Sequence, residues 1–302
     1  MKLKKIICTT DFSALSNHAV YYGIALAKEF KAKLYLCHVI DTSSITMYDG
    51  AAFTYESQNG YIRDYANKYI ARLIGEHKID WEPIITVGRA ADEIVRIAEE
   101  KDVDMAITAT RGRSGLKRLI LGSVTEHLMR TIPCPLLAVR GPGQDVTDAA
   151  DQEIRFQRIL VGCDFSSDSI LAVQYGLSLA QEFQSDLHLV HVMPPIHKVL
   201  PKHVIETRER FQQDFRNELN EKLEKLVPKE AFNWCTPEMT LLAGHPYEEL
   251  VKYAVVQGMD LIVLGVRGHS LVETMFVGST TDRVVRRSQC PVLSVRPIVQ
   301  DT

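Results

Sequence analysis

The chain has 302 residues, of which 46% are hydrophobic and 24% charged, so it is long enough for two soluble globular domains. The formal net charge of -3 argues against bulk binding of nucleic acid. No apolar run reaches the 18 or so residues of a membrane-spanning helix, and the basic N-terminus leads into too short an apolar run for a signal peptide. We therefore expect a cytoplasmic protein.

In chain order, short apolar runs alternate with segments of helical periodicity. The first strand, Lys5–Thr10, precedes a helix in which apolar residues recur at helical spacing and Ser13 is the candidate N-cap. The following predicted elements are a strand at Lys33–Val39, a helix at Tyr61–His77, a strand at Trp81–Val87, a helix at Ala90–Lys101, a strand at Met105–Ala109, a helix at Gly122–Thr131 and a strand at Leu136–Val139.

The same order recurs in the second half, where a long amphipathic helix is predicted near Val204–Leu226. Asp11 recurs as Asp164, 153 residues later, and Gly122 recurs as Gly278, 156 residues later. The two offsets place three extra residues in the middle of the second copy. We predict domains at residues 1–142 and 155–302, joined by a linker at residues 143–154 whose surroundings are rich in Gly and Asp.

Alternating strands and helices predict an α/β fold. Each domain is expected to be a doubly wound, mostly parallel five-stranded sheet with helices on both faces. Ligands of such sheets bind beyond the carboxyl ends of the strands, at the point where the strand order reverses. Such ends are predicted in each copy, at Asp11, Val39 and Ala109 and at Asp164, Val192 and Gly265.

A glycine-spaced loop follows the fourth strand of each copy. In the second copy it contains Gly265, Gly268 and, nine residues later, Gly278-Ser279 at the start of a helix. We expect Gly265 and Gly268 to adopt positive φ, and the N–H groups of the helix start to suit an anion. Ser279 would either add a hydroxyl contact or cap the helix.

The loop of the first copy departs from this pattern. Ala109 stands in the place of the first glycine, whereas Gly112, Gly122 and Ser123 are retained. Four basic residues, Arg111, Arg113, Lys117 and Arg118, make this loop the more basic one; the second loop has Arg267 but also Glu273. Geometry therefore favours the second loop as a phosphate site and charge favours the first. We give geometry more weight, because N–H groups act only within hydrogen-bonding reach.

The spacing G-2x-G-9x-G-[S/T], between a strand and a helix, resembles the nucleotide-binding signature of the universal stress protein family. Further shared features are the strand-end Asp, the His-Val strand ends, the turns at Gly88-Arg89 and Gly244-His245, and the Cys-Pro segments at Cys134 and Cys290. The resemblance covers nearly the whole chain, twice over. It implies tandem UspA-like domains of the Rossmann-like, HUP-type fold.

The resemblance also implies a ligand, ATP or another adenine nucleotide, often with Mg or Mn on its phosphates. By position, the Asp would lie near the ribose, the backbone after the strand-end His would contact adenine, and the glycine loop would hold phosphate. In the second domain these cofactor-binding residues are Asp164, Val192, Gly265, Arg267, Gly268, Gly278 and Ser279. In the first domain they are Asp11, Val39, Ala109, Gly112, Gly122 and Ser123.

The same residues can also be interpreted as having structural roles that need no ligand. Asp11 and Asp164 would also suit helix capping or an Asx turn, and the Gly-Ser pairs would suit ordinary helix starts. His188 and His191 are three apart on a strand and point to opposite faces, so no shared metal site is expected, and none is predicted elsewhere. The six cysteines form no C-x-x-C pair and are expected to be small buried residues.

Three functions follow, in order of preference: a nucleotide-binding stress-response regulator, a weak ATPase or autophosphorylating enzyme, and a ligand-free interaction module. The sequence has no Gly-Lys-Ser/Thr phosphate loop and no identifiable general base, so no catalytic residue is predicted and hydrolysis would at most be slow. The expected partner is a nucleotide, with neither nucleic acid nor membrane. We expect the two halves to form an intramolecular pseudo-dimer through their last strands, with further homodimerisation open.

Overall fold

The computed structural model describes residues 2–40, 55–110, 121–141, 154–193, 205–268 and 277–297, and within helices α2 and α6 no side chain of residues 55–59, 61 and 205–212. The chain divides into two compact units, Lys2–Arg155 and Phe156–Pro297. No helix in the described ranges is both long and apolar enough to cross a membrane.

The first unit is an alternating α/β structure. Its elements are β1 (Lys5–Thr9), α1 (Ala14–Phe30), β2 (Lys33–Ile40), α2 (Tyr55–Ile74), β3 (Trp81–Val87), α3 (Ala90–Lys101), β4 (Met105–Ala109), α4 (Ser123–Thr131) and β5 (Leu136–Val139). The strands pair in parallel in the order β3-β2-β1-β4-β5. The order reverses between β1 and β4, which is where a doubly wound sheet binds its ligand.

The second unit repeats the first. Its elements are β6 (Arg158–Gly162), α5 (Ser167–Phe183), β7 (Asp186–Met193), α6 (Ile205–Leu226), a short 3₁₀ helix (Lys229–Asn233), β8 (Pro237–Ala243), α7 (Pro246–Val256), β9 (Leu261–Gly265), α8 (Ser279–Arg287) and β10 (Val292–Val295). The order β8-β7-β6-β9-β10 is again parallel throughout. The predicted fold class is therefore confirmed for each half.

The hydrophobic core lies on both faces of each sheet. Every residue of β4, β5 and β10 is buried, as expected for parallel strands covered by helices on both sides. Small residues let the first helix of each unit approach the sheet closely: a Cβ on Gly176 of α5 would collide with Val161 of β6, and Gly23 of α1 lies similarly against Cys8 of β1. This packing fixes the start of each first helix beside the end of the central strand.

The cysteines are free thiols that belong largely to this core. Cys8, Cys37, Cys134 and Cys163 are buried, whereas Cys235 and Cys290 are half-buried. Burial raises the pKa of Cys37 to about 12. It also raises the pKa of the Cys163 thiol. These thiols remain protonated at neutral pH, consistent with the packing role expected from the sequence.

Candidate functional site

A cavity of about 360 Å³ opens at the carboxyl ends of β6, β7 and β9, beside the strand-order reversal of the second unit. Its walls combine the turn after β6, the end of β7, the turn after β9, and the starts of α7 and α8. All seven residues predicted for the second site line this cavity: Asp164, Val192, Gly265, Arg267, Gly268, Gly278 and Ser279.

The turn after β6 presents the Asp164 carboxylate to the cavity. Its Oδ1 accepts a hydrogen bond of 3.0 Å from the backbone N–H of Ser166 and a second from the Ser166 hydroxyl, which forms an Asx turn. Ser166 is also the N-cap of α5 and accepts from the N–H of Ser169 at 3.3 Å. The alternative role considered for Asp164, an Asx turn, is thus present at this carboxylate.

The residue inside this turn has an unusual backbone. Phe165 has φ 64°, which a phenylalanine rarely adopts, and its ring lies 4.8 Å from that of His191 at the end of β7. His191 Nδ1–H donates to the carbonyl of Cys163 at 2.8 Å, so the ring is tied to the backbone. The Asx turn, the ring contact and this hydrogen bond together hold the strained conformation.

Gly265 and Gly268 are required for close approach rather than for positive φ. Neither has a positive φ, so that expectation was wrong. A Cβ on Gly265 would lie 2.6 Å from the carbonyl carbon of Asp168 in α5, and a Cβ on Gly268 would lie 2.6 Å from Oδ2 of Asp164. The absent side chains let β9 contact α5 and let the following turn pass beside the Asp164 carboxylate.

The start of α8 faces the cavity without a side-chain cap. Gly278 is the N-cap, and its own N–H donates to the carbonyl of Val266 at 2.7 Å. Ser279 follows as the first helical residue, so it does not cap the helix. The Thr281 hydroxyl donates to the carbonyl of Gly265 at 2.7 Å and ties the helix to β9. The first N–H groups of a helix have no intrahelical partner and carry partial positive charge, which suits an anion.

Arg267 forms an ion pair with Asp168, a residue that was not predicted from the sequence to belong to the site. Its Nε and Nη2 donate to the two carboxylate oxygens of Asp168 at 2.9 and 3.1 Å, and its backbone N–H donates to Oδ2 at 3.1 Å. Asp168 is 1% exposed. Its hydrogen bonds raise the pKa of Arg267, so the guanidinium stays charged and paired. The one signal in the sequence was that the first copy has Leu15 at the position of Asp168.

The first unit contains the corresponding framework. Asp11 makes the same Asx turn to Ser13, which is the N-cap of α1 as predicted, and Val39 lies at the end of β2. Ala109 ends β4, Gly122 is the N-cap of α4 and Ser123 its first residue. Gly112 and the four basic residues of this loop lie outside the described residues.

The histidines considered as metal ligands serve other contacts. His188 Nδ1 lies 2.9 Å from the hydroxyl of Tyr253 in α7, away from His191. Within the described ranges, no group of three or more His, Cys, Asp or Glu side chains is arranged to hold a metal ion.

Comparison with known proteins decides the family. The model of the universal stress protein family matches residues 2–140 and again 155–296. This chain belongs to the universal stress protein family. The two family matches correspond to the two copies recognised in the sequence.

Individual universal stress proteins agree with this assignment. The chain is 32% identical to universal stress protein MJ0531 of Methanocaldococcus jannaschii over 145 residues, which cover 47% of this chain and 85% of that protein. It is 26% identical to a universal stress protein of Mycolicibacterium smegmatis over 298 residues, 97% of each chain. A universal stress protein structure from Archaeoglobus fulgidus has the same fold, with a TM-score of 0.68, 21% identity, and coverage of 98% of this chain and 99% of that one.

Proposed function

We propose that the chain is a regulatory module of the stress response that binds an adenine nucleotide, ATP or a close relative, and that the second unit holds the better site. The cavity at the strand-order reversal of the second unit carries this proposal, because all seven residues inferred from the family signature line it. Its volume, about 360 Å³, lies within the range of small-molecule sites.

Different parts of the cavity suit different parts of a nucleotide. The Asp164 carboxylate supplies an acceptor for ribose hydroxyls, while the end of β7 at Val192 supplies backbone groups for adenine. The uncapped start of α8, at Ser279 and Thr280, supplies N–H groups for phosphate. These groups bind and orient a nucleotide; none of them is placed as a general base, so we propose a binding role rather than catalysis.

A divalent cation fits this site only as a partner of the phosphates. The cavity lining carries hydroxyls at Ser169, Ser279, Thr280 and Thr281 but one carboxylate, Asp164, and a single carboxylate is too few for a protein-held Mg²⁺ or Mn²⁺. The metal would supply charge neutralisation of the phosphates, and Asp164 or the hydroxyls would orient it. Adding EDTA is then expected to weaken ATP binding and to leave adenosine binding unchanged.

The experiment is to denature the purified protein, identify any released nucleotide by mass spectrometry, and titrate the stripped, refolded protein with ATP, ADP, AMP and cyclic AMP. Binding of at least one nucleotide supports the proposal, and absence of binding to all four refutes it. Turnover of ATP well above the uncatalysed rate would instead support the enzyme hypothesis. Pairing of the two halves through β5 and β10 stays a prediction from the sequence.

A further inference from the structure

Asp168 differs from the other residues around the second site because it lies behind the cavity wall rather than in it. It stands in the first turn of α5 and is 1% exposed. A carboxylate buried to this extent is costly unless its oxygens are fully used. In Asp168 both oxygens accept from Arg267, through the guanidinium and the backbone N–H.

This ion pair bridges two elements that both form the site. Arg267 lies between Gly265, the last residue of β9, and Gly268, whose backbone passes the Asp164 carboxylate. The Arg267 carbonyl also accepts from the Ser166 hydroxyl at 3.3 Å, and that hydroxyl contacts Asp164. Asp168 therefore fixes the turn after β9 relative to the turn after β6.

The ion pair with Asp168 also limits the contacts that the Arg267 guanidinium can make with a ligand. An arginine in a phosphate-binding loop would ordinarily be expected to contact phosphate through a bidentate guanidinium. Here the two carboxylate oxygens of Asp168 take the Nε and Nη2 edge of that guanidinium, and the Arg267 side chain is 24% exposed. By sequence, the second loop from Gly265 to Gly278 contains no Lys or Arg besides Arg267. Among the described residues, the other groups suited to phosphate are backbone N–H groups at the start of α8 and the hydroxyls of Ser279 and Thr280.

We propose that Asp168 is a positioning residue of the second site: by holding Arg267 it presets the turn after β9 for phosphate, and Arg267 acts as an anchor of the loop rather than as a phosphate ligand. This inference rests on the proposed nucleotide-binding function. Leu15 at the equivalent position gives the first unit no such carboxylate, so this device is specific to the second copy.

The test compares ATP with adenosine, which shares the base and ribose but lacks phosphate. Asp168→Asn, nearly isosteric, and Asp168→Leu, the residue of the first unit, are expected to lower ATP affinity at the second site about tenfold, the equivalent of one charge-assisted hydrogen bond. Adenosine affinity should change less than about twofold, because only the phosphate-facing turn is disturbed. Asp168→Glu should restore part of the ATP affinity.

Two further comparisons separate positioning from a general structural role. Asp260→Asn is the matched control: Asp260 also accepts from backbone N–H groups, those of Gln157 and Arg158, but at the opposite end of β6. Asp260→Asn should change neither the ATP affinity nor the adenosine affinity. Arg267→Met combined with Asp168→Leu should weaken ATP binding no more than Asp168→Leu alone, because both residues act as one unit.

Unchanged ATP affinity in Asp168→Leu, or a parallel loss of ATP and adenosine affinity, would overturn the proposal. If the wild-type protein binds neither ligand, the proposed function fails by itself, and the positioning role is judged by amide hydrogen exchange. In the unliganded protein, Asp168→Asn should accelerate exchange at the Arg267 amide, whose hydrogen bond it weakens. Unchanged exchange at that amide would refute the role of Asp168 as well.

Discussion

At the scale of single residues, the glycines of the second loop serve close packing. The Cβ that Gly265 lacks would meet backbone atoms of α5, the carbonyl carbon of Asp168 at 2.6 Å and the N of Ser169 at 2.7 Å. Backbone atoms within a helix cannot move aside as a flexible side chain can. The requirement for glycine at position 265 is therefore steric and does not depend on a ligand.

Gly265→Ala is accordingly expected to destabilise the second unit by about 1–3 kcal/mol, the usual cost of overpacking a core. Urea unfolding of the unliganded protein measures this free energy. Gly60→Ala is the control: Gly60 lies in α2 with nothing within 4 Å of the added Cβ, so alanine should be neutral or stabilising there. Wild-type stability of Gly265→Ala would contradict the packing explanation.

Ser166 combines capping with control of Asp164. Its hydroxyl accepts from the N–H of Ser169 and donates to the Asp164 carboxylate, so Ser166→Ala should lose about 1 kcal/mol of stability and also weaken nucleotide binding. Ser13→Ala removes the equivalent cap from α1 and should cost similar stability without changing affinity at the second site. Calorimetric titration measures the nucleotide affinity of both variants. Equal affinities would show that Asp164 does not contribute to nucleotide binding at the second site.

At the scale of elements, much of the fold follows from sequence periodicity. Strand β5 was predicted with its observed bounds, and Ser13 was correctly predicted as an N-cap. Buried parallel strands form continuous apolar runs, and helices have a clear 3.6-residue period. Both kinds of element can therefore be predicted from the sequence alone. The short 3₁₀ helix at Lys229–Asn233 was not predicted, because such turns lack a repeating apolar pattern.

The site was less fully predictable. Spacing located the cavity-lining glycines, but not the reason they are glycines, since this depends on the distance between β9 and α5 in space. The positive φ of Phe12 and Phe165 has no signature in sequence, because phenylalanine disfavours that conformation and tertiary contacts impose it. Asp168 was missed because its partner, Arg267, lies about a hundred residues away in the chain.

In the first unit, an ion pair within α3 is combined with a hydrogen bond that ties α3 to β3. Glu93 of α3 accepts from the Arg96 guanidinium at 2.7 Å and from the Thr86 hydroxyl of β3 at 2.8 Å. These donors lower the pKa of the Glu93 carboxyl below its ordinary value of 4.5, Arg96 having the larger effect. The folded state therefore binds this proton less readily than the unfolded state does.

The stability that Glu93 contributes is present above about pH 4.5 and is lost as the pH falls through the lowered pKa of the folded state. Glu93→Gln should reduce the loss of stability of the first unit on acidification from pH 5 to about pH 3. Thr86→Val, which removes one of the donors to Glu93, should reduce this acid-induced loss of stability less than Glu93→Gln does. Urea unfolding at a series of pH values checks this; an unaltered pH dependence in Glu93→Gln would disprove it.

At the scale of the whole molecule, duplication has produced two similar frameworks with different chemistry. Both units retain the strand-end Asp, the tethered His and the glycine-started helix. Only the second combines Gly265 with Asp168, whereas the first has Ala109 and Leu15. We therefore expect calorimetric titration of the full chain with ATP to resolve two unequal sites, the tighter one in the second unit. Equal affinities would contradict this asymmetry.

A phosphate site at the start of α8 can be tested by ATP titration of Gly278→Asp. Gly278 is an N-cap with φ -58° and ψ 140°, and Asp is a favourable N-cap residue, so the helix should persist while the new carboxylate repels phosphate. Gly122→Asp makes the same change at the start of α4. We predict that Gly278→Asp abolishes the tighter ATP site and that Gly122→Asp leaves it intact. Retention of the tighter site in a folded Gly278→Asp protein would contradict the assignment.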